Sequence, residues 1–97
     1  MAGLVVIQGP TDKPVYEVPA AADLTIGRGL DNLIVLENPA VSRHHARLCL
    51  ISDAFWIEDL NSSNGVYLNG VKIHSATLRD GDQIQVGGVI LVYREGA

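Results

Sequence analysis

Three short stretches of this sequence carry side chains that could bind a small anion. They are Gly27-Arg28, Ser42-Arg43-His44-His45-Ala46-Arg47 and Ser63-Asn64-Gly65. They supply guanidinium groups, which are planar, permanently charged donors that match the oxygens of a phosphate. They also supply hydroxyls, which can reach the remaining oxygens, and a carboxamide, which can both donate to and accept from a peptide main chain. These residue types predict a site for a phosphate ester.

The charge distribution favours one compact anion over a long polyanion. The 97 residues carry a formal net charge of −4, whereas general nucleic-acid binding usually requires a basic face. Three of the seven Lys and Arg residues lie close together in the sequence, at Arg28, Arg43 and Arg47. A small basic focus on an acidic protein suits a single phosphate group. We therefore expect no nucleic-acid partner.

Length and composition predict one globular domain, residues 1–97, with an apolar fraction of 47%. No apolar stretch approaches the roughly 18 residues of a membrane helix, so we expect no direct membrane insertion. Residues 1–8 lack the basic start and the cleavage site of a signal peptide. The single Cys49 cannot form an internal disulfide and is compatible with a reducing compartment. These features predict a cytoplasmic location, with the nucleus as an alternative.

Short apolar runs separated by Gly, Pro, Asn and Asp predict the β-strands that would position the three stretches. We predict strands at 4–8, 15–18, 24–26, 33–36, 45–50, 55–58, 66–68, 71–73, 83–86 and 89–93. Asn69-Gly70 predicts a tight hairpin turn, and a further turn is expected at Asp53-Ala54. No window of ten residues has the 3.6-residue period of a helix. The pattern therefore predicts an all-β sandwich or barrel.

Taken together, the motifs resemble the signature of the forkhead-associated (FHA) domain family. The matching elements, over about residues 24–92, are Gly27-Arg28, Ser42-Arg43-His44-His45-Ala46, Ser63-Asn64-Gly65, Asn69-Gly70, Gly81-Asp82 and Gly87. The resemblance implies an eleven-stranded β-sandwich of two antiparallel or mixed sheets, with binding loops at one end. It implies a phosphothreonine-dependent interaction module without a cofactor. Such a module recruits partners phosphorylated by Ser/Thr kinases, or binds a phosphorylated tail of its own protein.

The resemblance also implies roles for individual residues. Arg28 would pair with the phosphate, Ser42 would donate its hydroxyl to it, and Arg43 would be a second cationic contact. Ser63 would lie beside the phosphothreonine, and Asn64 would bond the peptide main chain. Four residues would support these loops: Gly27, His45, Gly65 and Asn69. The chain departs from the family where Val66 replaces the usual Thr, and the role of His44, at a variable position, is left open.

Other functions fit the sequence less well. Ser62 or Ser63 with His44 or His45 and Asp59 would supply the residue types of a hydrolase triad, but a Gly-x-Ser-x-Gly motif is absent. We predict no catalytic residues. His44, His45, His74 and Cys49 lack the spacing of metal ligands, so no metal site is predicted. Gly27-Arg28-Gly29 resembles the start of a dinucleotide-binding motif. However, position 32 is Asn, and no helix is predicted after it.

The serious alternative is a phosphate-independent interaction or oligomerisation domain on the same fold, because some members of the family have lost phosphate binding. The presence of Arg28, Ser42 and Asn64 argues against it. The predicted strands begin and end within a few residues of the two ends of the sequence. We interpret this as a module of a longer protein.

Overall fold

The chain folds into eleven β-strands within residues 2–9, 15–19 and 23–95, which are the residues that a computed structural model describes. The strands are β1 (Ala2–Gln8), β2 (Val15–Val18), β3 (Leu24–Gly27), β4 (Ile34–Val35), β5 (Ala46–Ile51), β6 (Ala54–Asp59), β7 (Val66–Leu68), β8 (Val71–Ile73), β9 (Ser75–Thr77), β10 (Gln83–Val86) and β11 (Val89–Glu95). No helix in this part of the chain is long and apolar enough to cross a membrane.

The strands form two sheets that share one core, which confirms the predicted β-sandwich. The six-stranded sheet has the order β2-β1-β11-β10-β7-β8, and all its pairs are antiparallel. The five-stranded sheet has the order β4-β3-β5-β6-β9, and it is mixed because β3 and β4 are parallel. Alternate residues of several strands are buried between the sheets, such as Ala46 and Leu48 on β5 and Ile84 and Val86 on β10.

The aromatic rings of Phe55 and Tyr93 connect the two sheets across this core. Phe55 lies on β6 and Tyr93 on β11, and their ring centroids are 6.1 Å apart at an interplanar angle of 63°. An edge-to-face pair of this kind contributes about 0.5–1.5 kcal/mol beyond the burial of its area. Burial of the Tyr93 ring also raises the pKa of its hydroxyl.

The structure differs from the sequence prediction at three places. The strand expected at 33–36 is shortened to Ile34–Val35. The turn expected at Asp53-Ala54 lies instead on Ser52-Asp53, whose φ angles are 51° and 65°, and Ala54 already belongs to β6. The pattern also missed β9, because Ser75-Ala76-Thr77 has no apolar run and becomes a strand by pairing with β6.

The hairpin turn at Asn69-Gly70 is confirmed. The φ angles of Asn69 and Gly70 are 50° and 85°, and a type I′ turn requires positive values at both positions.

The loops of the sandwich fall into two groups at opposite ends of its strands. We call the loops 28–33, 36–45 and 60–65, with the turn 87–88, the site end. Gly87 lies against the main-chain carbonyl of Ala40, which joins this turn to the 36–45 loop. We call the turns 69–70 and 78–82 the hairpin end, where the main-chain amide of Asn69 donates to the carbonyl of Gln83. The three predicted ligand-binding stretches all lie at the site end.

Candidate functional site

Main-chain hydrogen bonds pair the Arg28 loop with the Ser42 loop. The amide of Arg28 donates to the carbonyl of Ser42 at 2.9 Å, and the amide of Gly29 donates to the carbonyl of Arg43 at 3.0 Å. Gly27 allows this approach, since a Cβ atom at this position would overlap the carbonyl of Arg43. The two arginines are therefore presented by two loops that are fixed to each other at their bases.

The buried side chain of Asn32 also connects these two loops, and no sequence motif predicts this role. Its side chain is buried, and Nδ2 donates to the carbonyls of Gly29 and Arg43, both at 2.7 Å. Its Oδ1 atom has no hydrogen-bond partner among the described residues. A buried Asn and an exposed Asn are alike in sequence, and only the tertiary structure distinguishes them.

His45 connects the 36–45 loop to the 60–65 loop. Its ring is fully buried, and Nδ1 accepts a hydrogen bond from the amide of Ser42 at 3.0 Å. Nε2 lies 2.7 Å from the carbonyl oxygen of Gly65. Because a carbonyl can only accept, the network assigns the proton to Nε2. The main chain of His45 also bonds to Ile26 and Leu60, so this residue joins β3 and both loops.

The 60–65 loop is shaped by side chains that bond within it. Asp59 Oδ1 accepts hydrogen bonds from the amide of Ser62 at 3.1 Å and from its hydroxyl at 2.6 Å. Ser62 Oγ in turn accepts from the amide of Gly65 at 2.9 Å. Ser62 and Asp59 are thus used for the shape of the loop. Both ring nitrogens of His45 contact main-chain atoms, so His45 is not positioned as a base for Ser62 or Ser63.

Ser42 and Asn64 each keep part of their hydrogen-bonding capacity. Ser42 Oγ accepts from the amide of Ser63 at 3.0 Å, which leaves its own proton to donate. Asn64 Nδ2 donates one proton to the carbonyl of Ala40 at 2.8 Å, so the second N–H and the oxygen Oδ1 are available. Ser63 and Asn64 are exposed, and Ser42 is half-buried. These groups can bond a ligand without losing the bonds that hold the loops.

The guanidinium groups of Arg28 and Arg43 complete the candidate site. Both residues are exposed. Neither guanidinium forms a hydrogen bond or an ion pair with any residue in the described ranges. The fold therefore brings the loops of all five predicted ligand-binding residues to one end, with both cations unpaired.

A hydrogen bond at the edge of this site positions the His44 ring. Its Nε2 atom lies 2.7 Å from Oδ2 of Asp31, so the pair links the 28–33 loop to the 36–45 loop. This hydrogen bond is the main cause that lowers the pKa of the Asp31 carboxyl, and the charge of Arg43 adds to it. The pair is exposed, and solvent weakens it.

Three of the predicted support residues lie at the site, and Asn69 does not. Gly27, His45 and Gly65 make the contacts described above. Asn69 lies at the hairpin end, where its side chain bonds to Asp82 Oδ1 at 3.0 Å and to the amide of Gln83 at 2.9 Å. Within the described ranges, none of its hydrogen bonds reaches another predicted site residue.

A groove of about 560 Å³ extends from Asn64 along β7. It is lined by Ala40, Asn64, Tyr67, Gly70, Gln85, Gly87 and Gly88. The sequence predicts strands at Tyr67 and Gln85, and no motif indicates that either residue lines a groove. Within the described part of the chain, no group of three or more His, Cys, Asp and Glu side chains could hold a metal ion.

Comparison with known proteins identifies similar domains. The family model of the FHA domain matches residues 24–87. The chain is 37% identical to the glycogen accumulation regulator GarA of Mycobacterium tuberculosis over 93 residues, which are 96% of this chain and 57% of GarA. It therefore spans less than two thirds of that relative's length.

Solved structures resemble the fold closely. The structure of M. tuberculosis EmbR in complex with a low-affinity phosphopeptide superimposes with a TM-score of 0.89 at 37% identity, over 99% of this chain and 24% of EmbR. A structure solved in work on phosphothreonine-dependent FHA domain interactions has a TM-score of 0.89 at 28% identity, over 99% of this chain and 97% of that one.

Proposed function

The chain belongs to the forkhead-associated domain family, and on that premise we propose that its site end binds phosphothreonine in a partner protein. One observation carries the proposal. The exposed guanidinium groups of Arg28 and Arg43 pair with no described residue, and they lie at the same end of the sandwich as the hydroxyl of Ser42 and the amide of Asn64. An end that combines unused cations with unused donors is suited to a doubly charged ester.

The chemistry of phosphothreonine matches these groups. A phosphorylated side chain carries about −1.5 to −2 charges and three strong acceptor oxygens. Arg28 pairs with the phosphate, Ser42 donates its remaining proton to it, and Arg43 provides the second cation. Ser63 lies beside the phosphothreonine, and Asn64 bonds the peptide main chain through the amide atoms that Ala40 does not use.

The expected affinity follows from these contacts. Each charge-assisted hydrogen bond contributes roughly 1.5–3 kcal/mol, and ordering the peptide opposes several of them. We expect a dissociation constant near 1 μM, which corresponds to about −8 kcal/mol.

We infer the biological setting from the similar proteins. EmbR was solved with a phosphopeptide, and GarA is named a regulator. We extend this to a module of a longer cytoplasmic protein that recruits targets of a Ser/Thr kinase or binds a phosphorylated tail. The proposed function is recognition without a catalytic step, a cofactor, a nucleic acid or insertion into a membrane.

The proposal is tested by the binding of matched peptide pools. Each pool holds 13-residue peptides that are random except at the centre, which is phosphothreonine, phosphoserine or threonine. We expect capture of the phosphothreonine pool, and a peptide recovered from it should bind about 100-fold more tightly than its unphosphorylated form. Equal binding of the phosphorylated and plain forms would overturn the proposal and favour a phosphate-independent interaction domain.

A further inference from the structure

Lys72 lies in a row of side chains beside the groove. Tyr67 on β7 is paired directly with Lys72 on β8 and with Gln85 on β10. Residues directly opposite each other in antiparallel strands project on the same side of the sheet. Tyr67 and Gln85 line the groove. Lys72 therefore stands at the outer end of a row whose other members form the groove wall.

The Lys72 side chain reaches back to the 60–65 loop. Its Cε and Nζ atoms lie 2.8 Å and 3.6 Å from the point that a Cβ atom of Gly65 would occupy. With a bond of about 1.5 Å, Nζ is within about 5 Å of the Gly65 Cα atom. The carbonyl of Gly65 is fixed by His45. The ammonium group of Lys72 therefore lies close to Gly65, the residue that follows Asn64. The main chain of the loop is anchored at this point.

The charge of Lys72 has no internal counterpart. The side chain is exposed, and it forms no ion pair or hydrogen bond with the residues that the structure describes. The two other cations of the described strands are paired, Arg47 with Glu58 at 2.8 Å and Arg94 with Asp80 at 3.9 Å. The described residues that line the groove include no carboxylate. An anionic side chain in the groove would thus meet no like charge among the described residues of its walls, and Lys72 lies beside it in the row that contains Tyr67.

We propose that Lys72 reads an anionic side chain of the bound peptide, at a position two to four residues from the phosphothreonine. An extended peptide advances about 3.3 Å per residue, so a main chain bonded by Asn64 brings a side chain two to four residues from the phosphothreonine close to Lys72. This inference rests on the proposed function, because it requires a phosphopeptide that contacts Asn64.

The test measures charge preference at single peptide positions. A phosphothreonine peptide that binds is synthesised with Glu, Gln or phosphoserine at each position from four before to four after the phosphothreonine. An exposed ion pair contributes little, so we expect Glu to strengthen binding about three- to fivefold over Gln at one position in the wild type. In Lys72→Met and in Lys72→Gln this ratio should fall to about one.

A matched variant separates a local contact from a general loss of charge. Arg79 is an exposed cation of the hairpin end that does not line the groove, and Arg79→Met removes the same charge from that end. We expect it to keep the wild-type ratio of Glu to Gln binding. Thermal unfolding of each variant checks that the fold is intact.

Each outcome decides the inference. A position where phosphoserine strengthens binding and Glu does not would identify a second phosphate as the anion that Lys72 reads. No preference at any position, or a preference that persists in both Lys72 variants, would overturn the inference and leave phosphothreonine binding intact. If no phosphothreonine peptide binds to the wild type, the proposed function and this inference fail together.

Discussion

The two ends of the sandwich use polar side chains in opposite ways. At the hairpin end the Asn and Asp side chains bond to one another, to nearby main chain or to Arg94. Asn69 bonds to Asp82, and Asp80 bonds to the amide of Glu95 and pairs with Arg94 at 3.9 Å. At the site end, buried groups such as Asn32 and His45 make internal bonds, while the guanidinium groups of Arg28 and Arg43 bond to no described residue.

This difference separates stabilisation from ligand recognition. A polar group that is already bonded contributes to folding and has little left for a partner, whereas an unpaired cation contributes little to folding. Substitutions at the hairpin end should therefore change stability alone. Substitutions of the two unpaired arginines at the site end should change binding alone. Residues that hold the site loops should change both.

The largest effect is expected for His45→Ala. The substitution leaves the half-buried amide of Ser42 and the buried carbonyl of Gly65 without partners, and it creates a cavity. We expect the free energy of unfolding to fall by about 3–4 kcal/mol and phosphopeptide binding to weaken. Urea unfolding monitored by circular dichroism checks the stability. A loss below about 1 kcal/mol would contradict the view that His45 holds the two loops together.

Arg28→Ala should have the next largest effect, on binding rather than stability. Loss of a guanidinium that pairs with the phosphate of the peptide removes about 2–3 kcal/mol of binding free energy. This corresponds to an increase of roughly 30- to 150-fold in the dissociation constant. Calorimetric titration of a phosphothreonine peptide measures it, and the unfolding midpoint should change little. Arg79→Ala at the hairpin end is the matched control and should bind like the wild type. Equal loss in both variants would indicate a general charge effect.

Asn64 and Asn69 offer a paired comparison, because each precedes a glycine and they lie at different ends. Asn64→Ala should weaken phosphopeptide binding about tenfold, since it removes a bond to the peptide main chain. Asn69→Ala should lower stability by about 1–2 kcal/mol without changing affinity, since its bonds to Asp82 and Gln83 are internal. The same peptide titration and urea unfolding are applied to both. Weakened binding in Asn69→Ala would remove the distinction between the two ends.

The smallest effect is expected at the exposed pair of Asp31 and His44. The hydrogen bond from His44 lowers the pKa of the Asp31 carboxyl below its ordinary value of 3.8. The pKa of Asp31 is lower in the folded protein than in the unfolded chain. The pair therefore stabilises the fold at pH values above the ordinary pKa, and this stabilisation is lost as the pH falls through the folded pKa. In His44→Gln the NMR titration midpoint of Asp31 should rise. An unchanged midpoint would show that His44 does not cause the shift.

Much of the fold could be predicted because its strands alternate and its turns have specific residues. The type I′ turn at Asn69-Gly70 follows from local chemistry, as does the half-buried pattern of β5. β9 could not be predicted, because a polar three-residue strand is stabilised by its neighbour β6 rather than by its own sequence. The buried position of Asn32 was missed for a similar reason, since it depends on carbonyls of residues 29 and 43.

The residue types of the candidate site could be predicted from the sequence. Which of these residues contact a ligand and which stabilise a turn could not. Asn64-Gly65 and Asn69-Gly70 look alike in sequence. In the structure Asn69 has a positive φ angle and closes a hairpin, whereas the Asn64 side chain bridges to Ala40 and keeps unused amide atoms. Similarly, Lys72 belongs to a predicted hairpin strand, and only the fold brings its ammonium group to Gly65. Long-range contacts of this kind have no local sequence signal.

The central claim is that phosphothreonine binds at one end of the sandwich and leaves the other untouched. The most direct test is to map the backbone amide signals of ¹⁵N-labelled protein during titration with a phosphothreonine peptide and with its unphosphorylated form. We expect the phosphorylated form alone to shift the signals of Arg28, Ser42, Arg43, Ser63 and Asn64, while those of Asn69, Arg79 and Asp82 stay in place. Equal shifts with both peptides, or shifts confined to the hairpin end, would contradict the claim.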